Sequence, residues 1–284
     1  DSYKNNKFQA LFNTSGQLHL IDRNGKYVDG FPKKLPAVTS IGMSLFDYDQ
    51  NKKYRIMIVG EDNMLYNLNK KGEIVDGWKY IKTNNRISKN PNHFIVKNKD
   101  YILKPTNNTT TRLLARNGSI RTIFNDAYSF VSPVKISENG SLYAITTENK
   151  LWTASVDGKT KVIEIPEIDM NTKILISNNG YYIAKQNMLS YLNKLNEQEF
   201  VIKLDSPVEN LCFKNEFIAI TTATSLYLIK DNKIINGFPI NSDGYFNISD
   251  IDNDGKINIV NIKNGFIYNY EFRCCYFFIL CNSF

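Results

Sequence analysis

Histidine is almost missing from this 284-residue chain, which has only His19 and His93. His19 alternates within an apolar stretch, and His93 follows Asn90-Pro91-Asn92. The two fall in different repeats, and neither sits beside a cysteine or a cluster of carboxylates in the sequence. A Ser-His-Asp or Cys-His centre needs an imidazole oriented against its nucleophile, so this chemistry is not expected. Cysteine is scarce too, and the four residues contain no CxxC pair. That removes a zinc ribbon and a thioredoxin-like motif. Cys212, between Leu211 and Phe213, reads as a small buried hydrophobe, while Cys274, Cys275 and Cys281 crowd the last eleven residues. No apolar run approaches the ~18–20 residues of a membrane-spanning helix, so no membrane insertion is expected of this chain. No signal-peptide pattern opens at residue 1. The net charge is +7, yet the lysines are scattered among asparagines with no basic run to track phosphates. No nucleic-acid partner is expected. Helical periodicity is absent over any useful length.

What the chain does have is aromatic residues and a repeat. Aromatics make up 13%, with 17 Tyr and 17 Phe, a composition that suits pleated, half-buried strands. The length allows about 75% of the unfolded chain's surface to be buried, so no disulfide or metal is needed for a core. Leu18–Phe31 matches Leu65–Trp78 over 14 residues without a gap. The element returns at Thr111, Leu151, Leu189, Leu226 and Ile267, giving steps of 47, 46, 40, 38, 37 and 41 residues. Each unit reads as four short strands, A to D. In the second unit they are Ile41–Phe46, Tyr54–Val59, Met64–Leu68 and Glu73–Tyr80. Short strands with turn signals every eight to twelve residues indicate an all-β fold, and the ~40-residue period selects a seven-repeat β-propeller of four-stranded blades. Asn24-Gly25, Asn117-Gly118 and Asp157-Gly158 read as hairpin turns at positive φ. Gly30-Phe31-Pro32 and Gly237-Phe238-Pro239 read as the end of an outer strand and a joint between blades. The regularly spaced Tyr and Phe read as packing between blades rather than a base-stacking array.

The turn Asp250–Gly255, the Leu226–Lys230 strand and the Asn236–Pro239 exit resemble bacterial FG-GAP/VCBS-type and quinoprotein-like propellers. The span 1–272 is similar to the C-terminal propellers of large Bacteroidetes proteins, whose ends resemble Ile267–Tyr270. The resemblance implies a propeller in the bacterial periplasm, at the cell surface or on the outer membrane, and it implies no activity. A quinoprotein would carry a tryptophan-rich repeat. With only Trp78 and Trp152, this chain departs from that pattern, and PQQ is rejected as a cofactor.

The sharpest local motif is Asp250-x-Asp252-x-Asp254-Gly255-x-x-Asn258. Carboxylates at positions 1, 3 and 5 with Gly at 6 can wrap a hard cation in oxygens, and Asn258 offers a ninth-position amide. Residue 261 is Asn, so the bidentate Glu of an EF-hand is missing. In FG-GAP-type repeats the resembling loop holds Ca²⁺. Two readings stand: a Ca²⁺ site at Asp250, Asp252, Asp254 and Asn258, or a plain Asx-turn hairpin. The second-repeat loop, Asp47–Arg55, puts Lys52 and Arg55 where Gly255 and Asn258 stand, and is expected to hold no cation.

Register places the A–B turn of the first repeat at residues 1–6 and strand B at Phe8–Asn13, so the first blade is expected to be incomplete, lacking strand A. Residues 273–284 form an apolar, Cys-rich tail, read either as the last outer strand or as a non-native extension. The expected function is a non-catalytic propeller presenting loops to a protein or glycan. The alternatives are a carbohydrate-active enzyme with acids on its central-channel loops, and a structural module of a longer chain.

Overall fold

The computed structural model describes residues 3–5, 7–82, 87, 89–104, 112–124, 128–137, 139–214, 217–249, 256–273 and 276–280. Among these there is no helix, and seven antiparallel sheets follow one another along the chain, one per sequence repeat. They are the blades of a β-propeller. The chain divides into two compact units, Asp1–Ile163 and Glu164–Phe284.

The first unit holds four sheets. The first is Ala10–Asn13, Gln17–Ile21 and Lys33–Lys34, and the second is Ser44–Phe46, Arg55–Val59 and Leu65–Leu68. The third is Asn92–Val96, Lys99–Lys104, Arg112–Leu114 and Ile120–Ile123. The fourth is Lys135–Ile136, Leu142–Ile145, Leu151–Ala154 and Thr160–Ile163. The second unit holds three sheets. Its first is Lys173–Ile176, Gly180–Lys185, Met188–Asn193 and Gln198–Lys203. The next is Asn210–Lys214, Phe217–Thr221 and Ser225–Lys230, with Lys233–Ile234 and Ile240–Asn241 both on its outer edge. The last is Phe246–Ser249, Asn258–Lys263, Phe266–Arg273 and Tyr276–Leu280. Strand Tyr276–Leu280, within the tail, pairs antiparallel with Asn269–Arg273.

The sheets have three to five strands, not uniformly four, and the Gly-Phe-Pro motif accounts for the fifth strand of the sixth sheet. The sequence reads the motif as the end of the outer strand, but it interrupts that strand instead. In the first sheet Tyr27 bridges Ile21, then Phe31 N–H closes a turn on the Val28 carbonyl at 3.0 Å with Gly30 at φ +81°. After Pro32 the chain returns, and Lys33 and Lys34 pair with Leu18 and Gln17 of the same neighbour. The sixth sheet repeats this: Lys233–Ile234 pair with Ile229 and Lys230, Phe238 N–H bonds the Ile235 carbonyl, and Ile240–Asn241 pair with Leu226 and Ser225. Phe31 and Phe238 return the chain by packing on the apolar clusters around Leu18 and Leu226. In the second sheet the outer strand expected at Glu73–Tyr80 shrinks to one bridge, Leu68 to Ile74. Trp78 stands where Phe-Pro would, and its indole N–H donates to the Leu65 carbonyl at 2.7 Å, the position a returning backbone would take. The first sheet has three strands among the described residues, with Ala10–Asn13 at its edge.

Apolar clusters join neighbouring sheets within each unit. Leu18, Ile56, Ile58 and Leu68 link the first and second, and Met57, Leu65, Ile102 and Leu114 link the second and third. Trp152, Leu103, Leu113 and Leu142 link the third and fourth. Burying such side chains stabilises by about 1.5–3 kcal/mol each. Cys212, read as a small buried hydrophobe, is half-buried and packs against the Phe217–Leu226 cluster.

The C–D hairpin turns hold neighbouring sheets together. In the Asn-Gly and Asp-Gly turns only the Gly is at positive φ: Gly25 at +75°, Gly118 at +83° and Gly158 at +93°. The preceding residue is not in that region, so these are not two-residue turns with both centres left-handed. Asn196 takes the Gly position at +63° in the fifth repeat, where the motif is degraded. In the one-residue-shorter sixth repeat, Asp231 and Asn232 are both left-handed. The Asn117 carbonyl of one turn accepts the Lys79 N–H of the preceding sheet at 2.6 Å. Thr122 Oγ bonds the Val156 carbonyl, and Tyr182 Oη bonds Asn232 Oδ1, in the same manner.

Candidate functional site

Of the proposed metal ligands, Asp250, Asp252 and Asp254 lie outside the described residues. Asn258 opens strand Asn258–Lys263, paired with Ser249 and Glu271, and is buried. Beside it Lys256 Nζ contacts Glu271 Oε1 at 2.7 Å. Among the described residues no cluster of three or more His, Cys, Asp or Glu is placed to hold a metal.

The second-sheet loop shows how the same motif folds with other residues in it. Asp47 accepts the N–H groups of Asn51 and Lys52 at 3.1 and 2.9 Å, and Asn51 Oδ1 accepts that of Lys53 at 2.9 Å. Lys52, at the position of Gly255, is at φ +61°.

This loop meets the third sheet at a cluster of ionisable groups. The Asn117-Gly118 turn carries Arg116 across, where its Nε lies 2.5 Å from Asp100 Oδ2 and its Nη2 lies 2.7 Å from Asp49 Oδ1. The guanidinium carbon sits 4.8 Å from the Tyr48 ring centroid. On its other oxygen Asp100 meets His93 Nε2 at 2.7 Å, and the His93 ring packs edge-on against Tyr48 with centroids 4.7 Å apart. The sequence leaves His93 without a carboxylate. The hairpin places one diagonally across from it: His93 pairs with Ile102, and Asp100 lies two residues along on the same adjacent strand. His19 bonds Tyr27 Oη at 3.0 Å and stacks on Phe12.

Burial alone would raise the Asp100 carboxyl, but hydrogen bonds from Arg116 and His93 outweigh it and hold the group below the usual carboxylate range. A depressed native pKa adds stability at pH values above the unfolded pKa of about 3.9, and that stability is lost as pH falls through the native value. We therefore expect an acid limb of stability below about pH 4. Arg116→Met should shrink that limb, costing more stability at neutral pH than in acid, and urea midpoints measured between neutral and acid pH would check this. Burial, then the Asp100 charge, pushes the Tyr48 phenol well above its ordinary value, so the hydroxyl stays protonated.

Beside the cluster is a cavity of ≈ 240 Å³ whose walls include Tyr48, Arg55, Asn67, Asp76, Trp78 and Arg116. The Tyr48 hydroxyl and Asn67 Oδ1 are buried there and have no hydrogen-bond partner.

No family model matches the chain, and no curated protein matches it. Solved structures do. BamB from Moraxella catarrhalis aligns with a TM-score of 0.55 at 14% identity, covering 90% of this chain and 80% of that one. The fold is that of the β-propellers. BBS1N in complex with ARL6DN aligns at 0.60 with 5% identity, over 91% of this chain and 86% of that one. The AfRom2 CNH domain aligns at 0.57 with 9% identity, over 93% and 91%. Identities this low carry the propeller fold and nothing about the ligand. No helix among the described residues of this propeller is long and apolar enough to cross a membrane.

Proposed function

We infer that the chain is a non-catalytic binding propeller, presenting loop surface to a protein or glycan partner within a bacterial exported or envelope-attached protein. The observation that carries this reading is the cleft between the second and third sheets. Arg116 is held on both Asp49 and Asp100, and His93 on Asp100, and this network braces a cavity whose wall joins Tyr48 and Trp78 to Asn67, Asn117 and charges of both signs. A carboxylate gripped by a guanidinium stays ionised and is a poor general acid, which disfavours the carbohydrate-active alternative at this cleft. Among similar folds, BBS1N occurs in a complex with ARL6DN, which fits the use of such a scaffold for association. The envelope setting rests on the resemblance of residues 1–272 to Bacteroidetes propellers.

The test is a paired assay on the whole chain. A partner from a bacterial envelope extract should be retained by the wild type and lost by Trp78→Ala, and no reducing sugar should be released from an oligosaccharide panel. Release of sugar would overturn the non-catalytic reading. The proposal includes weak Ca²⁺ binding through Asp250, Asp252 and Asp254, with Asn258 as the ninth-position ligand. Binding to the native state alone stabilises it by mass action. Millimolar Ca²⁺ should raise the melting temperature of the wild type, with no rise in Asp252→Ala. An unchanged melting temperature in both proteins would contradict it. PQQ has no place in this reading.

A further inference from the structure

We propose that the cavity between the second and third sheets is a saccharide subsite, taking one hydroxyl-rich ring between Tyr48, Asn67 and Trp78. The proposal rests on the binding reading above and names the ligand class of that same cleft.

Three observations converge. The first is the unmet polar demand. Asn67 is 2% exposed, and its side-chain oxygen has no partner. The Tyr48 hydroxyl on the same wall is also buried and unpartnered. A buried polar group left unpaired is costly, and a native fold that keeps two on one cavity wall has reserved them for something that enters. Hydroxyl groups answer both, because each donates and accepts. They would satisfy the Asn67 amide whichever way it is turned.

The second is charge. The wall carries Lys53, Arg55 and Arg116 with Asp49 and Asp76, but Arg116 is neutralised by Asp49 and Asp100, and Arg55 donates through Nη1 to the Lys53 and Tyr54 carbonyls at 3.3 and 3.2 Å. No single sign dominates, so a strongly cationic or anionic ligand gains little. A neutral ligand with donors and acceptors around its rim can meet Asp76 on one side and Arg55 on the other.

The third is shape and rigidity. The ≈ 240 Å³ volume lies below the range of about 300–1,000 Å³ for drug-sized ligands, which suits a single ring. Its aromatic wall is fixed in place. Trp78 is held by its bond to Leu65, and the Gly118 turn closes on the indole so tightly that a Cβ there would stand 2.9 Å from Trp78 Cδ2. A rigid aromatic wall costs little ordering on binding.

The test is intrinsic fluorescence of the whole chain titrated with D-glucose, D-galactose, N-acetyl-D-glucosamine and D-glucuronate at millimolar concentrations. Trp152 is fully buried, so Trp78 reports the cleft. At least one of these sugars should give a saturable emission change that disappears in Trp78→Phe. Asn67→Leu should weaken the affinity about tenfold or more while its urea midpoint stays equal to or above that of the wild type. A structural asparagine would instead lower the midpoint. Tyr48→Phe, which keeps the ring, should weaken binding several-fold. Silence with all four sugars, or a response to an amine or a short peptide with none to the sugars, overturns the proposal. Binding accompanied by oligosaccharide breakdown would instead leave the subsite standing and sink the non-catalytic reading.

Discussion

Gly118→Ala should lower the stability of the protein by about 3 kcal/mol or more, the sum of a left-handed backbone and an overpacked contact. Gly118 sits at φ +83°, where an L residue is strained. A Cβ built on it would lie 2.9 Å from the Tyr80 backbone nitrogen, 2.9 Å from Trp78 Cδ2 and 3.0 Å from Trp78 Cε2. The backbone of the second sheet cannot yield as a flexible side chain would. The matched control is Gly25→Ala, at φ +75° with nothing within 4 Å. It keeps the conformational cost and lacks the clash, so about 1–2 kcal/mol is expected. Urea unfolding with unchanged slope would compare the two through their midpoints. Equal losses would show that the third-sheet turn does not bear on Trp78, and would remove the support assigned to the cleft.

Trp152→Ala should cost about 3–5 kcal/mol, whereas Trp152→Phe should cost about 1 kcal/mol or less. Trp152 is the largest fully buried side chain among the described residues, 1% exposed, with Phe130 and Phe124 rings at 5.0 and 5.7 Å. Alanine leaves a cavity where the third and fourth sheets meet. Phenylalanine loses volume too, but it also removes an indole N–H that is buried without a partner. The gain offsets part of the loss. Thermal or urea denaturation of the two variants separates the terms. A phenylalanine variant as unstable as the alanine one would mean that the indole N–H is satisfied.

The repeat was legible because its period is set by local chemistry. A Gly or Asn suits the point where the C–D turn becomes left-handed, and apolar residues run consecutively on strands buried at both faces, as in Ile56–Val59 and Phe217–Thr221. The fate of Gly-Phe-Pro was not legible. Whether a chain that leaves a strand ends or comes back depends on backbone pairing such as Lys33 with Leu18, and pairing carries no side-chain signature. The cleft was legible only in pieces. Arg116 lies beside an Asn-Gly turn and Asp49 lies in an A–B loop, but 67 positions apart nothing in the sequence joins them. What joins them is the seating of the third sheet's C–D turn on the second sheet, seen in the bond from Lys79 to Asn117. That seating, applied to the repeat alignment, would have placed Arg116 beside the second-sheet loop. Asn67 gave no signal at all, since an asparagine within Leu65–Leu68 looks like any other polar residue on a strand.

The most direct test of the functional account is saturation-transfer NMR on the whole chain with a panel of disaccharides built from glucose, galactose and N-acetylglucosamine, followed over a day in one tube. The account predicts transfer of magnetisation to ring protons of at least one sugar, its loss in Asn67→Leu, and no new anomeric signals as the hours pass. No transfer to any sugar would contradict the binding cleft, and the appearance of monosaccharide resonances would contradict the assignment of this propeller as a non-catalytic binder.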